Sequence, residues 1–545
     1  MKTRPIYIWM PLIVGGSIGL GLLLGSTGFN SNNKQQGMSW NLKANKYSDK
    51  MQYVLKYIQT DYVDTINKEE LEDKALTSLL EQLDPHSAYV PAEDAKSMTE
   101  MLDGNFDGIG IEFNIQNDTI YIVSAIVGGP SEALGIQSGG RIVSVDGKNV
   151  AGNGMTNEKV MKSLRGPKGT TVNVGIIERG QKKAKEYPIK RAAIPIFSLD
   201  AAYMVSSQVG YVKISRFSAT TFNEFSKAMN KLAGEGMKQL ILDLRDNPGG
   251  YLEQAVEMAD DFLSDDQMIV YTEGKNRSKR EYKATSKGIF EKGELVVLID
   301  EGSASASEII AGAVQDNDRG YIVGRRSFGK GLVQEEMRFD DGSAMRLTTA
   351  RYYTPTGRSI QKSYSNGKED YYHELDERIK KGELINADST KFDATQKFTT
   401  PEGRTVYGGG GIMPDFFVAL DTTQTNEFYL EAYRKGLLTA FAFQKVDAER
   451  KGLKTKYTTY RQFLQNYSAA ALLSEFDTFI KSKEVKVKDN GKNKIRMSTQ
   501  LKALMARNLY GNDAYYYISN TDDETMLKAI SVLQNKLTIH QTSKK

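Results

Sequence analysis

The chain of 545 residues is too long for one hydrophobic core and predicts three or four domains. Its 72 basic and 68 acidic residues leave +4 with no dense basic block except the final Ser543-Lys544-Lys545, which argues against a nucleic-acid partner. The absence of cysteine excludes a thiol nucleophile, disulfides and a lipid-modified cysteine, so stability must come from core packing.

Lys2 and Arg4 precede an apolar run from Ile6 to Leu24, and a polar linker from Asn30 to Gln36 follows. This pattern predicts an export signal within residues 1–38. Nineteen apolar residues just span a bilayer and no A-x-A cleavage pattern is evident, which favours an uncleaved anchor over a cleaved peptide. The expected location is then extracytoplasmic or periplasmic, held at the inner membrane by residues 6–24. Residues 39–103 read as helices: Met51, Val54, Leu55 and Ile58 share one face, and Leu71, Ala75, Leu76, Leu79 and Leu80 another. Leu83-Asp84-Pro85-His86-Ser87 breaks the pattern, and His86 reads as a turn residue.

From 104 to 192 short strands alternate with glycines, with one helix from Asn157 to Leu164. This stretch resembles a PDZ domain. The resemblance implies that the backbone N–H groups of Gly108, Ile109, Gly110 and Ile111 hold a C-terminal carboxylate, and that Val160, Met161 and Leu164 line the groove for its apolar side chain. The usual G-D-x-I reads Gly139-Gly140-Arg141-Ile142 here, without the acid.

Residues 193–420 predict α/β layering, with apolar strands at Val209 to Ile214 and Gln239 to Leu244 and helices at Thr221 to Leu232 and Tyr251 to Phe262. Leu295 to Asp300 reads as another buried strand, and Glu308, Ile309, Ile310, Ala313 and Val314 recur at helical spacing. Gly302 to Ser307 between them predicts a sharp strand-to-helix turn that presents small hydroxyls beside free N–H groups. A hydroxyl needs a base, and His86, His373 and His540 all stand away from the glycine-rich and strand-end positions. Lys330, between two glycines after the strand Tyr321 to Gly324, is the nearby alternative. Its amine has a pKa of about 10.4 in water, which burial can lower by several units.

The runs SASASEIIAGAVQD and GRRSFGKGLVQ, with Asp243-Leu244-Arg245-Asp246-Asn247-Pro248-Gly249-Gly250, resemble the C-terminal processing (tail-specific) peptidases, serine proteases with a Ser/Lys dyad. The resemblance covers residues 45 to 420. It implies a crotonase-like α/β Ser/Lys peptidase core with an inserted PDZ domain and helical N- and C-terminal segments. It maps the nucleophile onto Ser305, a supporting glutamate onto Glu308, the general base onto Lys330 and its orienting glutamine onto Gln334. If Lys330 to Gln334 is extended, the lysine and glutamine share a face. The oxyanion donors would be Ala306 with Gly249 or Gly250. Asp316 matches an aspartate of some members, but it lies about 16 Å along the helix from Ser305 and reads as structural. Arg165 matches an arginine held to sense bound substrate, with a solvated surface arginine as the alternative. Ser305-Ala306-Ser307-Glu308 also fits a plain capping box.

Tyr353-Thr354-Pro355-Thr356-Gly357-Arg358 and Gly411-Ile412-Met413-Pro414-Asp415 resemble further family segments, and the polar stretch from Ser363 to Thr400 between them predicts an exposed excursion. In 421–545, Phe428, Leu430, Tyr433, Leu437, Leu438 and Phe441 suggest one amphipathic helix, and Tyr460, Phe463 and Leu464 another. This region is expected to serve as a dimer or higher-oligomer contact, an adaptor site, or core packing. The implied activity is endopeptidase cleavage of exported proteins whose tails the PDZ domain captures, with no metal and no organic cofactor. The rivals are a non-catalytic PDZ adaptor on a peptidase-like scaffold and a Ser-His enzyme using His86.

Overall fold

The computed structural model describes residues 49–387, 394–422, 426–481, 483, 491 and 493–535. The expected export segment 6–24, its linker and His540 lie outside them. The chain divides into two compact units, residues 1–72 and 73–545. In the first, the helix Asp49–Asp61 forms as its spacing predicts, although Met51 and Val54 are half exposed.

The second unit is built on a six-stranded sheet. Its strands run in the order Leu199–Met204, Val209–Ile214, Gln239–Asp243, Glu294–Ile299, Tyr321–Gly324 and Phe416–Phe417. The first pair is antiparallel and the rest are parallel. Parallel strands are buried on both faces, which is why they read as continuous apolar runs. Leu295, Val297 and Ile299 face one hydrophobic cluster with the helices Thr221–Gly234, Leu252–Asp260 and Ala306–Asp316. Val296 and Leu298 face the other, which Met526, Ala529, Val532 and Leu533 of the helix Glu524–Gln534 complete. The helix Glu524–Gln534 therefore closes the six-stranded sheet.

Across from the helix Ala306–Asp316 lies a second sheet of Ala88–Val90, Ala344–Tyr353, Met268–Gly274 and Arg277–Lys283, with Leu332–Arg338 also paired to Ala344–Tyr353. A further sheet, with strands Ile111–Gln116, Thr119–Ala125, Arg141–Val145, Thr171–Ile177 and Lys185–Lys190 in path order, packs with the helix Asn157–Leu164 around Ile120, Ile122, Ile142, Val172 and Ile189. An antiparallel ribbon of Asn105–Gly108 and Ala192–Pro195 joins it to the six-stranded sheet.

Three expectations are corrected. The stretch after Ser363 is exposed over most of its described residues, as expected, but it is not a loose excursion: it folds into the helix Lys368–Lys380 with Tyr371 and Arg378 buried, where Arg378 bonds the carbonyls of Arg326 and Ser327. The single helix expected through Phe428 and Phe441 is two, Glu427–Arg434 and Leu437–Lys456, divided at Gly436, which takes φ +65°. The Lys330 to Gln334 run is not extended throughout: its strand starts at Leu332, and the register slips between Val333 and Gln334.

Candidate active site

Ser305 sits where strand Glu294–Ile299 has ended and helix Ala306–Asp316 begins, as the helix N-cap. Its φ of +56° and ψ of −112° are strained for a residue with a Cβ. Its N–H donates to Glu308 Oε2 at 2.8 Å, so the cap is real. Capping and exposing the hydroxyl are compatible, because the cap fixes the backbone that aims it.

Glu308 reaches further than its own helix. It is fully buried, and its Oε1 accepts from Ser327 Oγ at 2.6 Å and the Gly329 N–H at 2.8 Å. The Lys330 N–H donates to Oε2 at 2.9 Å. Burial pushes the carboxyl up to about 7, against the pull of these hydrogen bonds. Tyr352, also buried, bonds through its hydroxyl to the carbonyls of both Ser305, at 3.2 Å, and Lys330. One carboxyl and one phenol thus tie the backbone at 305 to the backbone at 330.

Burial, then Arg346, lowers the Lys330 amine to about 8 against the opposite pull of Glu308 and Asp84. Among the described residues, no hydrogen bond joins its Nζ to Ser305 Oγ. Gln334 does not hold the lysine either: its Nε2 donates to Thr348 Oγ1 at 3.3 Å, and Thr348 Oγ1 donates to Asp84 Oδ1 at 3.0 Å. The register slip after Val333 turns the glutamine toward this turn.

The glycine pair is separated by hydrogen bonding. The Gly249 N–H donates to Asn247 Oδ1 at 2.9 Å, and its φ of +97° leaves no room for a Cβ, which would stand 2.7 Å from Ser305 Cβ. The Gly250 and Ala306 N–H groups meet no protein acceptor among the described residues. Asn247 ties the two loops together, since its carbonyl accepts the Ala304 N–H at 2.9 Å and Ser307 Oγ at 2.9 Å.

Asp316 is away from this chemistry, as its helical spacing predicts. Arg358 Nη2 donates to its Oδ1 at 2.7 Å and Thr356 Oγ1 to its Oδ2 at 2.6 Å, all inside the core. His86 is held by Tyr371, Nε2 to hydroxyl 2.8 Å, and burial, then Lys330, lowers it to about 4. His373 is a surface residue beside Asp376.

In the PDZ-like sheet the Ile109 carbonyl accepts Ser131 Oγ at 2.6 Å and the Gly110 carbonyl accepts the Ile126 N–H at 3.0 Å, bracing the loop that Gly108 opens and Ile111 closes. Strand Ile111–Gln116 is the outer strand of its sheet, the position that accepts an added peptide strand. Val160 and Leu164 are buried in the PDZ core, whereas Met161 of the same helix is 41% exposed. Arg165 is not simply solvated: Nη1 donates to Glu100 at 2.9 Å and the guanidinium lies 4.2 Å over Phe106.

Sequence reasoning missed Tyr352, Ser327 and Asn247. Asn247 stands inside a quoted motif and Ser327 three residues before the lysine, but Tyr352 reads only as a strand aromatic.

Residues 208–370 match the family described as peptidase family S41, residues 98–177 the PDZ domain, and residues 428–511 a family of unknown function. The carboxy-terminal-processing protease of Bartonella bacilliformis is 36% identical over 332 residues, 60% of this chain and 76% of that protein. The carboxy-terminal processing protease CtpB of Bacillus subtilis is 37% identical over 321 residues, 58% of this chain and 66% of that one. Among solved structures, the photosystem II D1 C-terminal processing protease aligns with 28% identity over 57% of this chain and 83% of its own, at a TM-score of 0.34.

Proposed function

The chain belongs to the carboxy-terminal-processing proteases, serine peptidases of family S41 with a PDZ domain, and on that premise we propose how its own residues cut a peptide bond. The free amine of Lys330 takes the proton from Ser305 Oγ as the oxygen attacks the scissile carbonyl carbon. The Gly250 and Ala306 N–H groups hold the oxyanion, a role in which each donor typically contributes about 3 kcal/mol. Lys330 then gives the proton to the leaving nitrogen, the C–N bond breaks and an acyl ester remains on Ser305. Water, deprotonated by the same amine, hydrolyses the ester and restores the hydroxyl.

The observation that carries this reading is the Glu308 carboxyl, which accepts from the N–H groups of both Ser305 and Lys330. Catalytic hydrogen bonds are often long before substrate binds, and a tail seated in the site would bring Oγ and Nζ together. Gln334, four residues past the lysine, would turn from Thr348 to the amine in that form.

The domain division we infer is anchor and linker at 1–38, a helical segment at 39–103, the PDZ domain at 104–192, the peptidase core at 193–420 and the helical region at 421–545. Hydrophobic clusters of their own in the last three support it, with the one on the far face of the six-stranded sheet shared between the core and the helix Glu524–Gln534. The PDZ domain binds peptide C-termini, here those of exported proteins, with Gly108 to Ile111 as the carboxylate loop, Val160 and Leu164 beneath the terminal side chain, and Arg165 coupling the groove to the helix that carries Glu100. The apolar run 6–24 would tether the enzyme to a membrane outside the cytoplasm. The test incubates an unstructured protein, with and without its apolar terminal residues, with the intact chain. Ser305→Ala should abolish cleavage and leave tail binding unchanged. Cleavage that survives Ser305→Ala removes the nucleophile assignment, and a wild-type chain that binds tails without cutting favours an adaptor.

A further inference from the structure

The C-terminal region enters the active site's supporting structure at one side chain. Asp523 precedes the helix Glu524–Gln534 and caps it, accepting the Met526 N–H at 2.7 Å. Both its carboxylate oxygens also accept from Arg245 Nη1, at 2.9 and 3.0 Å, across 278 positions of sequence. Arg245 belongs to the Asp243-Leu244-Arg245-Asp246-Asn247-Pro248-Gly249-Gly250 turn that carries Gly250. Its other guanidinium nitrogens are held by Asp243: Nε donates at 3.0 Å and Nη2 at 2.6 Å.

The division between the two carboxylates matters. Asp243 lies two residues before Arg245 on the same strand end and ties the guanidinium to the neighbouring strand Val209–Ile214, accepting from Tyr211 OH at 2.8 Å and Lys213 Nζ at 3.4 Å, while Lys213 Nζ also donates to the Arg245 carbonyl. Asp523 links it to the C-terminal helix instead, and Nη1 has no other partner among the described residues. The next residue, Asp246, takes φ +55°, a left-handed backbone that a residue with a Cβ holds only when its surroundings over-determine it. Asp300 Oδ1 grips the Asp246 N–H at 2.9 Å from one side, and Arg245 with Asp523 grips the turn from the other.

We propose that Asp523 is a positioning residue for the oxyanion arm: through Arg245 it sets the strained turn 246–250, and with it the Gly250 N–H. The inference rests on Gly250 and Ala306 as oxyanion donors. The C-terminal helix is then part of the catalytic apparatus and not only a cover for the sheet. Asp523 touches no reacting atom.

Asp523→Asn isolates the ion pair, because asparagine caps a helix as well as aspartate does and the fold should persist. In the full chain, kcat for a peptide with an apolar C-terminus should fall about tenfold with KM within about twofold, since small misplacement of catalytic groups is costly in the transition state. Asp523→Glu should restore most of it. A peptide aldehyde, which forms a tetrahedral adduct with the serine, should bind about tenfold more weakly to Asp523→Asn, while the matching peptide alcohol binds as to wild type. Equal loss for aldehyde and alcohol, an unchanged kcat, or a kcat loss matched by loss of folded protein in circular dichroism each overturns the positioning role. If the wild-type chain itself prefers the alcohol, the oxyanion reading fails first, and this inference with it.

Discussion

At the scale of single residues, the site is organised by a carboxyl that never meets substrate. Glu308 joins the two backbones that must cooperate, and replacing it by glutamine turns an amide donor toward donors it cannot satisfy. Glu308→Gln should cost about 2–3 kcal/mol in denaturant titration, because buried N–H and O–H groups lose their acceptor. Proteolysis should fall with it. The pH profile separates the two candidate bases. A lysine lowered to about 8 is mostly protonated at pH 7, so kcat/KM should rise with pH and level off above a midpoint near 8. A histidine lowered to about 4 would already be fully basic by pH 6, and a midpoint that low would transfer the role to His86. Much of this was legible: the serine-glutamate spacing announced the cap, and the resemblance supplied the lysine. Tyr352 was not, because a tyrosine in an apolar strand gives no sign that its hydroxyl bonds two carbonyls.

At the scale of elements, the strands that reading recovered are those buried on both faces. Val209–Ile214, broken only by Lys213, and Tyr321–Gly324 are apolar and buried throughout, and their bounds are those expected. The helix after Ser363 was hidden for the opposite reason: its anchoring rests on Arg378 bonding the Ser327 carbonyl and on the Tyr371 hydroxyl accepting from Gln361 Nε2, and polar side chains carry no apolar period. The slip at Gln334 was hidden because a one-residue change of register leaves the composition unaltered. The same logic of polar anchoring holds the Tyr353-to-Ile360 segment against the nucleophile helix, where Arg358 and Asp316 pair in complete burial. Removing one partner of such a pair leaves a charge in the core, so Asp316→Ala should destabilise the fold by about 3–5 kcal/mol in denaturant titration. A cost under about 1 kcal/mol would mean that water reaches Arg358. Arg358→Met with Asp316→Leu should recover much of the loss, since an apolar pair has no charge to strand.

At the scale of the molecule, the helices Leu437–Lys456 and Lys494–Tyr510 lie along the PDZ domain. Arg507 Nη2 donates to Glu112 at 2.8 Å, Gln444 Nε2 to Gln116 at 3.0 Å and Arg450 Nη2 to Ser138 Oγ at 2.8 Å. Phe443 stands edge-on to Tyr121 at 5.9 Å, and Asp447 fills the space where a side chain at Gly139 would go. Two of these partners, Glu112 and Gln116, belong to the outer strand where a tail would add. The seam is also poorly satisfied. Arg179 Nε lies 3.8 Å from Asp447 Oδ1, but of the seven buried side-chain polar atoms without a hydrogen-bond partner among the described residues, Gln116 Nε2 and Arg450 Nε are here. Each such atom forfeits about 1–3 kcal/mol, so this contact opens more cheaply than a packed core does. A tail pairing with Ile111–Gln116 competes with the helices for that strand. Hydrogen exchange with a saturating peptide of apolar C-terminus should therefore show slower exchange in 111–116 and faster exchange in 437–456. The same peptide amidated at its C-terminus should change neither. Slower exchange in both segments would mean that the tail binds with the seam closed, and the helices would then be a fixed wall of the groove rather than a competitor for it.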